Sequence, residues 1–305
     1  MTEQFKLPLR IITYLVPGLS VELFENISQY LEASLGTETM LFYESRFNGP
    51  QSDRIDPFKT NVADLAFITG AEYQKLFKED NKNWELLSVG GVYPHLTKGE
   101  SAGYYADIIS VGGVYPHLTK GESAGYYADI IIHKNSKERI KDFLDLRGAN
   151  WATNNPCSTS GHFVMLKTLK GYGENPSFFG SVLNSGSHLN SIQMVASRKA
   201  DVASVDSNVL GFAMTKNPAL AHDLHIFTSI GPLPPYPIMV RSSMAAEQKN
   251  AICDALLKLE NVAPWNKLCA DLRLLRFVKI DKDIYLEDRE SRDALANLSA
   301  SVRYY

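Results

Sequence analysis

The chain has 305 residues, of which 45% are hydrophobic, and this length and composition predict a globular protein with room for two domains. Its formal net charge of -3 comes from well-mixed acidic and basic residues, which disfavours a nucleic-acid-binding protein. The three cysteines form neither a CxxC pair nor an even disulfide framework, a usage typical of a reducing compartment.

The N-terminal stretch MTEQFKLPLRIITYLVPGLS lacks an apolar signal core followed by a small-residue cleavage site. No window of the chain approaches the roughly twenty apolar residues that span a bilayer. We therefore expect no membrane span. The expected location is cytoplasmic for the chain as written, and periplasmic or extracellular if a leader has been removed.

Short apolar runs alternate with amphipathic stretches along the chain, which predicts an α/β protein with largely parallel sheets. Apolar residues recur at helical spacing after Val21, Ile140 and Leu189, and the chain from Met244 onward is predicted to be mainly helical. The predicted strands are Leu9 to Tyr14, Met40 to Tyr43, Asp64 to Ile68, Asp129 to His133, Asn150 to Thr153, Val202 to Val205, Leu224 to Thr228 and Ile238 to Arg241.

A 22-residue sequence, SVGGVYPHLTKGESAGYYADII, occurs twice in tandem without a difference, at 88–109 and 110–131. Solenoid repeats drift in sequence and need about three copies to bury a shared core. We interpret the pair as a recent duplication or a gene-model artefact. One copy is expected to occupy the native strand positions, with the other as a surface excursion.

A run of hydroxyl side chains stands in NNPCSTSGHFVMLKTL, where Ser158, Thr159 and Ser160 precede Gly161 and an apolar helical pattern. One hydroxyl is enough to cap a helix start. Three consecutive hydroxyls also suit an oxyanion, because hydroxyls, backbone N–H groups and the helix dipole all favour negative charge. Glycine would let a ligand approach the backbone. The stretch alone leaves both interpretations open.

Other single residues allow a second interpretation as well. Cys157, at a helix start near His162, is a weak candidate nucleophile without an orienting third group. The histidines of HDLH have the spacing of two metal ligands but no third ligand beside them. Asp206 follows the apolar run DVASV, where it is either a helix cap or a site residue.

The order of several motifs resembles a known family. NNPCSTSGHF, then NSGSHLNSIQMVASRKADVASVDSNVL, then GPLPPYPIMVR resemble the phosphonate and phosphate receptor subunits of ABC transporters. These are type II periplasmic binding proteins. DPFKTNVADLAFITGAEYQKL and AGYYADIIIHKNS extend the resemblance from about Leu9 to Arg241.

That resemblance implies two α/β lobes joined by two crossings, with a ligand enclosed between them by hinge closure. The expected lobes are residues 1–132 with 230–305, and residues 133–229. By resemblance, the hydroxyls of Ser158, Thr159 and Ser160 hold phosphorus-bound oxygens and His188 is the cleft histidine. A family tyrosine falls on Tyr126, or on Tyr104 if the first repeat copy is the structural one.

The aminophosphonate receptors of this family bind the ligand's ammonium with carboxylates, and the matching positions here are Asn208 and Tyr236. Because neither is charged, the resemblance does not favour an aminophosphonate. Asp206 is a candidate to bind a protonated ligand oxygen instead. The remaining candidate ligand contacts are Gly161 and Tyr14.

The leading hypothesis is a non-enzymatic binder of phosphate, phosphite or a small phosphonate, without cofactor or metal. Its partners would be this small oxyanion and, if the chain is exported, an ABC permease. The alternative is a cofactor-biosynthesis-type enzyme on the same scaffold that uses His188 or Cys157. Product formation from the ligand would distinguish the enzyme from the binder.

Overall fold

A computed structural model describes residues 7–14, 19–44, 53–78, 83–97 and 125–286. Their strands, in chain order, are β1 Leu9–Thr13, β2 Thr39–Tyr43, β3 Leu65–Phe67, β4 Trp84–Leu86, β5 Val89–Val92, β6 Tyr126–His133, β7 Asn150–Thr153, β8 Ser181–Asn184, β9 Val202–Asp206, β10 Leu224–Leu233, β11 Ile238–Arg241 and β12 Arg276–Lys279.

The helices are mostly short. They are α1 Val21–Leu35, α2 Gly70–Phe77, α3 Val164–Gly171, α4 His188–Ala196, α5 Ser207–Lys216, α6 Ala219–Asp223, α7 Ala246–Lys258 and α8 Trp265–Asp271. One wider, π-helical turn, Thr159–Phe163, leads directly into α3. In the part of the chain described, no helix combines the length and apolar character that a bilayer span needs.

The first sheet has the strand order β2-β1-β3-β11-β4. Strands β1, β2 and β3 are parallel, and β11 runs antiparallel to both of its neighbours. Helix α1 packs its apolar face on this sheet together with α7 and α8, and the buried side chains form one core that includes Leu31, Leu65 and Leu256. The helix ends at Gly36, whose φ of 63° is the left-handed conformation that glycine adopts readily.

The second sheet has the order β10-β6-β9-β7-β8. Strands β7, β8 and β9 are parallel, whereas β6 is antiparallel to both β9 and β10. Its two faces are covered by separate cores, one around the fully buried Trp151 and one around Ile131 and Val205. Every residue of β6 is buried, as expected for a strand with helices on both sides.

The chain passes between the sheets twice, and the two passages lie side by side. The first passage lies between β5 and β6, and the second follows β10, where Leu233 pairs with Tyr126. A bridge between Val92 and Gly125 ties the two ends of the first passage together. This is the arrangement of a type II periplasmic binding protein, with two α/β lobes and a cleft between them. The exact predicted lobe boundaries stay a prediction.

All eight predicted strands are present, but the prediction of largely parallel sheets was wrong in part, because both sheets are mixed. The helix predicted after Ile140 is only a 3-10 turn, Phe143–Leu146, in which Leu144 is exposed. The mainly helical C-terminal third also contains β12, which pairs with β5. Strand β5 is glycine-rich, so its sequence carries little strand signal.

The two copies of the repeat share the strands between them, which differs from the expectation that one copy supplies them all. Strand β5 and the residues up to Thr97 belong to the first copy, whereas β6 begins in the second copy. The expectation that one copy supplies the strands was therefore wrong. Because the copies are identical, the front of one and the back of the other together make one complete 22-residue unit. Residues 98–124, which include Tyr104, lie outside the described residues.

Candidate functional site

The hydroxyl run forms a turn at the end of β7, here called the hydroxyl turn (Ser158–Phe163). The Phe163 N–H donates to the Ser158 carbonyl at 3.0 Å, a spacing of five residues that makes the turn π-helical. The Ser158 hydroxyl accepts from the Gly161 N–H at 3.1 Å, which makes Ser158 the N-terminal cap. Such wide turns leave one more N–H group outside the helix ladder than an α-helix does, and they recur at functional sites.

The backbone of the hydroxyl turn is anchored to β9. The hydroxyl of Ser204, a buried residue of that strand, donates to the Ser160 carbonyl. The side chains of Thr159 and Ser160 are 8% and 2% exposed, so both hydroxyls sit at a dry position. No described residue outside the turn accepts a hydrogen bond from the N–H groups of Ser160 and His162. An oxyanion at this helix start is an acceptor that both N–H groups could bind.

Gly161 is required by the close approach of two side chains. A Cβ at this position would overlap the Asn154 carboxamide, whose Cγ would lie at 2.6 Å, and would stand 3.0 Å from Cε1 of His188. Asn154 thus occupies the space over the glycine that the sequence assigned to a ligand. The glycine brings the hydroxyl turn, Asn154 and His188 together.

His188 is the first residue of α4, which Ser187 caps through a hydrogen bond to the Asn190 N–H. The imidazole is 3% exposed, and burial lowers its pKa to about 3. Its Nδ1 accepts from the Asp206 N–H at 3.3 Å, so the neutral ring carries its proton on Nε2. His188 therefore acts as a hydrogen-bond donor through Nε2 and carries no charge at neutral pH.

Asp206 ends β9 and caps α5. Its Oδ1 accepts from the N–H groups of Asn208 and Val209 at 2.9 and 3.4 Å, and its Oδ2 accepts from the Tyr236 hydroxyl at 2.8 Å. The carboxyl is 1% exposed, and burial raises its pKa to about 7 against the pull of these hydrogen bonds. The cap interpretation of Asp206 is confirmed, and Asp206 also connects His188 to Tyr236.

Three aromatic rings face this network, here called the tyrosine wall (Tyr93, Tyr126 and Tyr236). The ring of Tyr236 lies 5.7 Å from that of Tyr93 and 5.1 Å from that of Tyr126. The Tyr236 hydroxyl also accepts from Asn208 Nδ2 at 3.1 Å. Burial, followed by the nearby Asp206 charge, raises the pKa of Tyr93 and of Tyr236 above its ordinary value. The phenols of Tyr93 and Tyr236 are therefore uncharged at physiological pH.

Tyr14 lies at the end of β1 and shares a hydrophobic core with Tyr126. The Arg54 guanidinium stands 3.9 Å from the centre of its ring, and burial raises the pKa of Tyr14 to about 12. Arg54 itself forms ion pairs with Glu44, at 2.8 Å, and with Glu72. Tyr14 therefore lies beside a cluster of charged side chains in the first lobe.

The cysteine and histidine of a possible nucleophilic pair do not meet. Cys157 is exposed, whereas His162 is 2% exposed and stacks on Trp151 with ring centres 5.4 Å apart. His162 Nδ1 is bonded to the Thr153 hydroxyl at 3.1 Å, and burial lowers its pKa to about 4. His162 is therefore a core residue.

The structure brings most of the candidate ligand residues into one continuous network. It runs from the hydroxyl turn through His188 and Asp206 to Tyr236, Asn208 and Tyr126. The sequence interpretation missed Asn154 and Tyr93. Asn154 opens the hydroxyl motif, and a polar residue at a strand end was the available signal. Tyr93 lies in the first repeat copy, and its part in the wall depends on tertiary contacts that no local pattern indicates.

Comparison with known proteins identifies a family whose model matches most of the chain. Residues 11–285 match the family model described as ABC transporter, phosphonate, periplasmic substrate-binding protein. No curated protein matches the sequence.

Several solved structures share the fold. A binding protein component of an ABC phosphonate transporter from Pseudomonas aeruginosa is 19% identical, with a TM-score of 0.71 over 97% of this chain and 89% of that one. PhnD1 from Prochlorococcus marinus, in complex with methylphosphonate, is 17% identical, with a TM-score of 0.65 over 94% and 98%. The GluR0 ligand-binding core from Nostoc punctiforme, in complex with L-glutamate, is 17% identical, with a TM-score of 0.50 over 87% and 99%. The chain belongs to the family of phosphonate-binding periplasmic substrate-binding proteins of ABC transporters.

Proposed function

We propose that this chain binds a small phosphorus oxyanion, namely phosphate, phosphite or a small phosphonate, between its two lobes. The observation that carries the proposal is the hydroxyl turn, where buried hydroxyls and backbone N–H groups converge beside the Nε2 donor of His188. Hydrogen bonds from neutral donors to a charged acceptor are stronger than neutral pairs, so no basic side chain is required.

A ligand without an ammonium group fits these contacts best. The two oxygens of Asp206 are engaged by the α5 cap and by Tyr236, and the rest of the network facing the hydroxyl turn is uncharged. Methylphosphonate, the molecule bound in the related PhnD1 structure, has only a methyl group to place against the tyrosine wall. Asn208 then orients the wall by donating a hydrogen bond to the Tyr236 hydroxyl.

As a transport receptor the chain would close its lobes over the ligand and deliver it to an ABC permease. A receptor with this task works on the outer side of the cytoplasmic membrane, as the name of its family implies. A cytoplasmic copy would sense or carry the ligand instead. Cell fractionation separates these two locations.

The experiment is a calorimetric titration with phosphate, phosphite, methylphosphonate, 2-aminoethylphosphonate and sulfate. Thr159→Val and Ser160→Ala remove one hydroxyl each and change little volume. Since a hydrogen bond to a charged group contributes about 1.5 to 3 kcal/mol, each variant is expected to weaken binding at least about tenfold. Asn175→Leu, on an exposed turn away from this site, is the control. Unaltered binding in both hydroxyl variants, or no binding by the folded wild type, would contradict the proposal.

A further inference from the structure

Asn154 holds a buried acceptor that lacks a partner among the described residues. The residue follows β7 directly and is 8% exposed, and no donor among the described residues reaches its Oδ1. A buried acceptor without a hydrogen bond costs about 1 to 3 kcal/mol, so proteins rarely keep one without a use for it.

The position of this acceptor is at the ligand network and not in a distant core. The Asn154 carboxamide lies on the Cα of Gly161, beside Cε1 of His188. It therefore lies between the hydroxyl turn and the histidine, the two groups that hold the oxyanion in the proposed function.

Two of the donors near Asn154 are committed to other acceptors. The Gly161 N–H donates to Ser158, and the Thr153 hydroxyl donates to the Gly161 carbonyl at 3.1 Å. Because the Thr153 proton is used there, the hydrogen bond between Thr153 and His162 takes its proton from His162 Nδ1. No described donor, including the His188 Nε2–H and the N–H groups of the hydroxyl turn, forms a hydrogen bond with Asn154 Oδ1, so a ligand O–H can supply the missing donor.

A fully deprotonated oxyanion has only acceptor oxygens, whereas a monoprotonated one also has an O–H donor. Resting on the proposed function, we propose that Asn154 is a specificity-determining ligand contact whose Oδ1 accepts the O–H of a monoprotonated phosphorus oxyanion. The hydroxyl turn and His188 then donate to the deprotonated oxygens. The site selects a monoprotonated phosphonate or phosphate over its dianion and over sulfate, which carries no proton at neutral pH.

The first test replaces the acceptor by a side chain of similar shape, in Asn154→Leu, and titrates the protein with methylphosphonate at pH 6. The expected result is an affinity at least tenfold lower, with a thermal midpoint equal to or above that of the wild type, because an unsatisfied buried acceptor has been removed. The matched control is Asn175→Leu, which removes an acceptor that is already bonded to the Ser177 N–H. This control is expected to lower the midpoint and leave the affinity within twofold.

Three titratable side chains lie near Asn154, and their protonation has to be distinguished from that of the ligand. They are His188 on α4, His162 in the hydroxyl turn, and Asp206, which reaches His188 through its backbone N–H. The two histidines are neutral between pH 6 and 9. Asp206→Asn removes the third titratable group, the Asp206 carboxyl. The tenfold loss of affinity caused by Asn154→Leu is expected to persist in the Asp206→Asn background.

A second test needs no substitution at Asn154. The phosphorus-31 chemical shift of bound methylphosphonate, followed from pH 6 to pH 9, reports the proton on the ligand directly. The bound ligand is expected to keep its proton to a pH at least one unit above that of the free ligand, in the wild type and in Asp206→Asn. Titration at or below the free value, or wild-type affinity in Asn154→Leu, would overturn the inference. Absence of oxyanion binding by the wild type would overturn the proposed function along with it.

Discussion

The network connects the hydroxyl turn to the tyrosine wall, and these two regions are built in opposite ways. The hydroxyl turn consists of six consecutive residues, fixed by its own Ser158 cap and by hydrogen bonds from the hydroxyls of Thr153 and Ser204. The tyrosine wall takes its three rings from residues 93, 126 and 236, and depends on both passages between the lobes. In the proposed function, the anion donors are therefore local to one lobe, whereas the ligand's other substituent meets a surface that depends on the whole fold.

The largest expected effect concerns the hydroxyl turn. Gly161→Ala would push a methyl group into Asn154 and His188, which are backed by the core. We expect loss of detectable oxyanion binding and a destabilisation of about 1 to 3 kcal/mol, measured by calorimetry and urea unfolding. The control is Gly36→Ala at the end of α1, where nothing lies within 4 Å and φ is 63°. It is expected to cost about 1 kcal/mol through backbone strain while binding stays intact.

A smaller effect is expected at the tyrosine wall. Tyr236→Phe keeps the ring but removes the hydroxyl that donates to Asp206 and accepts from Asn208. Leaving these buried groups unpaired is expected to cost about 1 to 3 kcal/mol of folding free energy, with an affinity loss below about tenfold. A loss of affinity as large as that in Gly161→Ala would show that the wall, and not the hydroxyl turn, dominates binding.

The connection between the two regions is expected to depend on pH through Asp206. Its pKa is raised from 3.8 to about 7 in the folded chain, so the folded state holds a proton that the unfolded state has lost. This contribution to stability is fully present below pH 3.8 and is lost as the pH rises through 7. Asp206→Asn keeps the helix cap and removes the loss of stability with rising pH, because an amide does not titrate. It is therefore expected to gain stability relative to the wild type between pH 4 and 8, by up to about 4 kcal/mol.

Thermal unfolding of the two proteins at matched pH values measures this gain, and both histidine titrations cancel in the difference. A constant difference between pH 4 and pH 8 would contradict the raised pKa.

The smallest effect is expected from the repeat. Deleting residues 98–119 removes 22 residues and joins Thr97 to Lys120, which leaves a single copy of the repeated sequence. Tyr93 and Tyr126 then belong to one unit, and every described residue is kept. We expect unchanged affinity and a thermal midpoint equal to or slightly above that of the wild type, because loop closure changes slowly with length. A tenfold loss of affinity would show that the second copy takes part in the site.

The same contrast explains what the sequence could predict. The hydroxyl turn and Asp206 stand at strand ends or helix starts, where polar residues carry a local signal, and the residues themselves drew attention to both. His188 was singled out by the family resemblance, and the ligand role of all three stays a prediction. The eight predicted strands are apolar runs of the usual length and were found because that signal is local too. Strands β4, β5, β8 and β12 were missed. In β5, Gly90 and Gly91 weaken the strand signal, and in β12 the charged Arg276 and Lys279 flank only two apolar residues.

The tyrosine wall was found only in part, because a tyrosine beside a strand has the same local pattern whether it packs in a core or lines a cleft. The Tyr126 prediction rested on the family resemblance. Asn154 was missed because its interest lies in the hydrogen bond that its buried Oδ1 does not receive from the described residues. Whether a buried acceptor is bonded cannot be read from a sequence. The sequence predicted that Gly161 lets a ligand approach the backbone. In the structure the Asn154 carboxamide makes that approach.

Direct contact between the hydroxyl turn and a phosphorus oxyanion is the centre of the proposed function, and backbone amide NMR tests this contact. On titration of the ¹⁵N-labelled wild type with methylphosphonate, the N–H signals of Ser160 and His162 are expected to move downfield and saturate together. The Nε2–H signal of His188 is expected to follow them. Saturable shifts at other residues, with the signals of Ser160 and His162 unmoved, would contradict the account and reduce the hydroxyl turn to the N-terminal cap of a helix.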